Sequence, residues 1–361
     1  MRHIALVFLF LVIPGLAQEG LHKHAGSSPT GDTAATANRF GTVQFKTSCK
    51  PSVAADFNGA VALLHSFEYE EARAAFKDVL HKDPKCAMAM WGESMSYFHG
   101  LWSEYNANAG AQAAAAARRI AADNPQTTDR ERKYIAAISG IFSEDAIKSS
   151  QRDDNKPDEG GYSQPSREVL VKYTQSMLEL HNQFPADREA TIFYALALNT
   201  SEKRSDLTHA DLRRCTALLY PLFVEMPNHP GVAHYIIHCN DNPEMATDGL
   251  EAARKYAQIA PASTHATHMP SHIFAQTGLW DEMVDSNRAS LRAAEESGSA
   301  GSCEKIGNAL HAMSFLVVGL VETGRMREAR DILDRADRMT SKTSGSYKCG
   351  DAGRSVVLAL M

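Results

Sequence analysis

Histidines four residues apart recur in one stretch of the chain. His234 and His238 form one HxxxH, and His268 and His272 form a second. On a helix such a pair puts two imidazoles on one face, one turn apart. The two pairs share a register. His234 and His238 lie 7 and 11 residues after Pro227, and His268 and His272 lie 7 and 11 residues after Pro261. His265 adds an imidazole three residues before His268. It stands 13 residues before Gly278, as His311 stands 13 residues before Gly324. His65 and His99 are 34 residues apart, the same interval as Pro227 to Pro261. Neutral imidazole is the commonest protein ligand for zinc, copper, iron and nickel. A repeating set of imidazoles on equivalent helix faces is therefore a candidate transition-metal site.

A single histidine is usually a satisfied polar group, bonded to a neighbouring helix or to water. A cluster is different, because its members repel if protonated and compete for few acceptors if neutral. The spacing leads us to expect His234, His238, His268 and His272 around a common space, with His265, His99 or His311 completing the shell and His65 a further candidate. Neither HxxxH carries Glu second, so the zinc-protease pattern with its general base is absent. Copper, zinc and iron all remain open, as does catalysis. Pro270 inside HMPSH must kink or start a helix, which tilts His265 and His268 relative to His272. Glu93, Glu189 and Asp241 are available as acceptors or surface charges, and Met269 and Met313 as copper ligands or core. Tyr97, Tyr194 and Tyr235 suit either a groove lining or aromatic packing.

The elements that must position these residues follow from the 34-residue period, which is the length of one helix–turn–helix unit. Such a unit buries its apolar face only by stacking on its neighbours. The chain has 361 residues, a formal net charge of −6 and 44% hydrophobic residues. No basic cluster suggests a nucleic-acid surface. Residues 1–17 read as a signal peptide, with Arg2, an apolar run from Ile4 to Ile13 and a small-residue cleavage site, which predicts export to the periplasm or medium. That run is too short to span a bilayer, and the mature chain offers no other span. Residues 18–50 read as a flexible segment, and residues 51–361 as stacked helix pairs with an exposed loop at 149–166. Export permits disulfides among the six cysteines. Cys49–Cys86 and Cys303–Cys349 flank predicted helix pairs and are expected to join. Cys215 and Cys239 suit buried thiols, with a ligand role for Cys239 left open beside His238.

Ala72, Phe76 and Pro84 match the A-x3-F…P half of the tetratricopeptide pattern, with Gly59 and Ala60 where the first helix must approach its partner. The units from Pro227 and Pro261 repeat it in register. On these residues the sequence resembles tetratricopeptide repeat proteins over roughly residues 52–340. More narrowly, LLHSFEYEEA, DPKCAMAMWG, HPGVAHYIIH and THMPSHIF are similar to stretches of an exported bacterial family of that fold. The resemblance implies an all-α chain of helix pairs forming a right-handed α-α superhelix, with first helices lining a concave groove. It also implies a second reading of function, a scaffold that binds a peptide or protein in that groove.

Overall fold

The computed structural model describes residues 39–343, except 103, 151–161, 164, 204 and 297–302. The signal-peptide reading, most of the 149–166 loop and the Cys303–Cys349 pairing lie outside these residues. Within them the chain is an array of tetratricopeptide-like helix pairs, as the period predicts. The helices are α1 (Ala54–His65), α2 (Tyr69–Lys82), α3 (Ala87–Met95), α4 (Ala107–Asp123), α5 (Asp129–Ile141) and α6 (Glu144–Ser149). They continue as α7 (Arg167–Gln183), α8 (Arg188–Ser201), α9 (Ala210–Glu225), α10 (Pro230–Cys239) and α11 (Leu250–Ile259). The rest are α12 (Thr264–His268), α13 (Pro270–Thr277), α14 (Trp280–Glu296), α15 (Cys303–Glu322) and α16 (Met326–Thr343). Three short antiparallel strands, β1 (Phe98–His99), β2 (Glu104–Asn106) and β3 (Tyr162–Ser163), are the sheet among the described residues. Among those residues no helix is long and apolar enough to cross a membrane.

Local chemistry sets the helix starts. Thr128 and Glu131 form a reciprocal capping box at α5. Asp187 caps α8 by accepting from the Glu189 and Ala190 amides. Prolines open α10 and α13, where a missing N–H costs nothing. The small-residue contact falls elsewhere than expected. A Cβ at Gly59 would meet nothing within 4 Å, whereas one at Gly92 would lie 2.2 Å from the Phe76 ring. Gly92 of α3 thus lets α2 bring in the motif phenylalanine.

Two features depart from a simple stack. First, residues 39–50 are packed, not loose, from Phe40 onward. Val43 and Phe45 are buried, the Thr42 amide donates to the Asn228 carbonyl, and the Ser48 amide donates to Glu131 at 2.7 Å. Alternation of buried and exposed residues over this stretch is too short to stand out from its Ser- and Thr-rich context. Second, α10 packs against α1 as well as its chain neighbours. An ideal solenoid has only nearest-neighbour contacts. Here the first unit reaches the histidine repeats directly.

The disulfides are Cys49–Cys86, as expected, and Cys215–Cys239. The second corrects the reading of those two as thiols and removes Cys239 as a free ligand. It ties α9 to the end of α10 and fixes the helix that carries the first HxxxH.

Candidate metal centre

Two groups of three imidazoles form where one cluster was expected. His234, His238 and His265 make one triad, and His268, His272 and His311 the other. In each, one nitrogen per ring lies within 4.8 Å of the others. Each triad is the HxxxH pair of one first helix plus the single histidine of the next. The first draws on α10 and α12, the second on α12, α13 and α15. His265 and His268 sit three residues apart on α12, yet serve different triads, with ring centroids 6.5 Å apart. Pro270 begins α13, so one helix ends at His268 and the next starts at the proline, with Met269 between them at helical angles.

In the second triad the Nδ1 protons of His268 and His272 can be placed. The Asn287 amide Nδ2 donates to the Met283 carbonyl at 2.8 Å, which turns its Oδ1 to His268 Nδ1 at 2.6 Å. His268 therefore carries its proton on Nδ1. His272 Nδ1 donates to Asp241 Oδ2 at 2.7 Å. Burial pushes the Asp241 carboxyl up, but the hydrogen bond from His272 Nδ1 outweighs it and holds the carboxyl below its ordinary value. The two Nε2 atoms face each other at 3.0 Å. If His272 is protonated it donates there to His268; if both rings are neutral, two lone pairs meet, the arrangement that a metal ion would bridge. Metal–nitrogen bonds of ~2.0–2.1 Å at tetrahedral angles would put ligand nitrogens about 3.3 Å apart.

The first triad repeats this. His234 Nδ1 donates to the His65 carbonyl at 2.6 Å, leaving one lone pair on Nε2. That lone pair faces Nε2 of both His265 and His238, each at 3.0 Å. A single lone pair cannot accept from two donors at once. The neutral form of the rings is favoured. Burial, then neighbouring imidazoles, push His234, His238, His265 and His268 well below the ordinary histidine range. His311, open to solvent on its outer edge, is brought to about 4 by desolvation among the packed rings and by His272.

A phenylalanine caps each triad. The Phe67 centroid lies 4.4, 5.7 and 5.4 Å from those of His234, His238 and His265. Phe315 lies 5.0, 4.5 and 5.1 Å from His268, His272 and His311. Phe67 takes a φ of 57°, in the left-handed region that a bulky residue rarely occupies. Backbone strain of this kind clusters at functional sites. Phe67, Asn287 and Phe315 carried no sequence signal, since none repeats with the histidine period.

His65 and His99 belong to neither triad; His65 joins Glu189 and His229 in a separate buried group whose ligand atoms also lie within 4.8 Å of one another. His229 Nδ1 accepts from the Val232 amide, so its Nε2 donates to Glu189 Oε1 at 2.9 Å. His65 Nε2 bonds Glu189 Oε2 at 2.9 Å, and its Nδ1 bonds the Tyr235 hydroxyl at 2.9 Å. Burial pushes Glu189 up, but the two histidines outweigh it and hold the carboxyl well below its usual range. In this group the carboxylate accepts from both rings. Its role is to seat His65, whose carbonyl orients His234. His229, the N-cap of α10, was not singled out, although an N-capping residue before Pro230 is a readable signal. His99 stacks on Tyr69 with centroids 3.9 Å apart. Met269 and Met313 are core, as are Trp91, Tyr194 and Tyr235. Glu93 pairs with Lys77 at 3.6 Å.

No family model matches the sequence, and no curated protein matches it. Among solved structures, the chain is similar to a human IFIT1 dimer with m7Gppp-AAAA, at 14% identity over 79% of this chain and 71% of that one, with a TM-score of 0.38. It is also similar to yeast Tom70, at 8% identity over 85% of this chain and 89% of that one, with a TM-score of 0.17. Scores this low support no inference about ligand or partner.

Proposed function

We propose that this chain is an exported metalloprotein that uses a tetratricopeptide-like array to hold transition-metal ions on its two histidine triads. The observation that supports this most directly is the 3.0 Å approach of His268 Nε2 to His272 Nε2, both already donating through Nδ1. Hydrogen-bonded Nδ1 atoms that fix the tautomer and aim Nε2 inward are the usual support for metal-bound histidine. Two disulfides suit an oxidising compartment, in keeping with the N-terminal leader pattern. Copper, zinc and iron all accept three imidazoles and an open position, and the open edge at His311 leaves room for an exogenous ligand.

The test is elemental analysis of protein purified without a histidine tag from its native compartment, beside the double variant His238→Ala/His272→Ala. The wild type should carry metal and the variant none, with unchanged helical circular dichroism. A metal-free wild type, or a variant that keeps its metal, would leave the scaffold reading, with a peptide or protein in the groove.

A further inference from the structure

We infer that the two triads form a single two-ion centre selective for monovalent copper. This rests on the metal-binding reading above and adds the number of ions, their coupling and their charge.

The number follows from the repeat. Each HxxxH needs one imidazole from the next first helix to become a triad, and His265 and His311 occupy the same slot relative to Gly278 and Gly324. Two complete three-nitrogen sets result. No ligand is shared between them, so neither ion competes with the other for donors.

The coupling follows from α12. His265 and His268 are less than one helical turn apart, their ring centroids are separated by 6.5 Å, and both are buried. Two cations on these rings interact across protein, where screening is weak compared with water. Whatever the first ion's charge, the second is bound against it.

The charge follows from the donor set. An imidazole ligates as the neutral ring, so all six donor nitrogens would be uncharged, and the nearby carboxylate of Asp241 bonds His272 Nδ1 and stays outside the ligand shell. Two divalent ions would place four positive charges in a buried site whose six ligands carry no negative charge. Two monovalent ions would place two. Burying unpaired charge is costly, so the second divalent ion should bind far more weakly than the first. Three-coordinate nitrogen also suits copper(I), which needs no fourth ligand, whereas zinc at three protein ligands retains a water. The Phe67 and Phe315 caps leave little room for such a water on their faces of the triads.

The experiment is an anaerobic titration of the apoprotein with copper(I) against a colorimetric chelator, beside a zinc titration. Two tight equivalents of copper(I) are expected, with a second zinc equivalent at least 100-fold weaker than the first. His265→Ala and His311→Ala should each lower the tight copper(I) count by one. After chemical oxidation of the two-copper form, electron paramagnetic resonance should show dipolar broadening from neighbouring copper(II). A single tight copper(I) equivalent, two equal zinc equivalents, or two isolated copper(II) signals would each overturn the inference and leave the metal-binding reading standing. Binding of neither metal, with iron(II) also failing to bind under the same conditions, would remove both.

Discussion

At the scale of single residues, the site depends on groups that touch no ion. Imidazole has two nitrogens, and a ligand role for one requires that the other have a settled partner. The His65 carbonyl, the Asn287 amide and the Asp241 carboxylate supply those partners to His234, His268 and His272. Asn287 is the most constrained, being fully buried with its amide fixed by the Met283 carbonyl. Replacing Asn287→Ala frees His268 to choose its tautomer and leaves a buried N–H without an acceptor. Metal affinity at the second triad should fall about 10–100-fold, while the first triad keeps its affinity. Asn287→Asp keeps an acceptor at that position and should restore much of the loss. Competition with a chelator reads both. Equal weakening of the two triads would mean that Asn287 acts through the fold and not through His268.

At the scale of elements, the relation between α1 and α10 decides the first triad. Gly231 permits it, since a Cβ there would lie 2.5 Å from His65 Nδ1. The His65 ring cannot retreat, because it stacks on Phe193 and bonds Glu189 and Tyr235. Gly231→Ala should therefore cost about 1–3 kcal/mol in urea unfolding, as overpacked cores do. It should also move the His65 carbonyl from His234 and weaken metal binding at the first triad alone. A variant of wild-type stability and stoichiometry would show that the contact is soft. This contact also marks how far the sequence was legible. The repeat length, the helix pairs, the Pro270 break and the Cys49–Cys86 bond were readable because each is local or periodic. The six triad histidines were readable as a set for the same reason. Their division was not, because His265 pairs across the unit boundary with His234, and periodicity alone does not say which neighbour a face meets. The α1–α10 contact joins residues about 170 positions apart, and Gly59 looked as suitable as Gly231 for a close approach. Cys215 and Cys239 gave no hint either, since a buried thiol and a half-cystine on a helix face have the same pattern.

At the scale of the whole molecule, the proposed ions would act as fasteners between repeats. In a stacked array, stability is roughly a sum of unit terms and nearest-neighbour interfaces. The first triad crosses from α10 to α12 and the second from α12–α13 to α15, so each bridges successive units. The N-terminal part has a covalent fastener in Cys49–Cys86, and α9–α10 has one in Cys215–Cys239. Residues 250–296, which span α11–α14, contain no cysteine, so the proposed ions would be their fasteners to the neighbouring units. Binding at 100 times Kd contributes about 2.7 kcal/mol per site, all of it at these interfaces. Stripping the metal should therefore do more than lower one melting temperature. Calorimetry should show the single transition of the loaded protein separating into two, with the earlier one shifted down by several degrees. Hydrogen exchange should place the early transition in α11–α16, with α1–α8 still protected. Uniform loss of protection along the chain on metal removal would show that the array unfolds as one cooperative body, held by the α1–α10 contact more than by the ions.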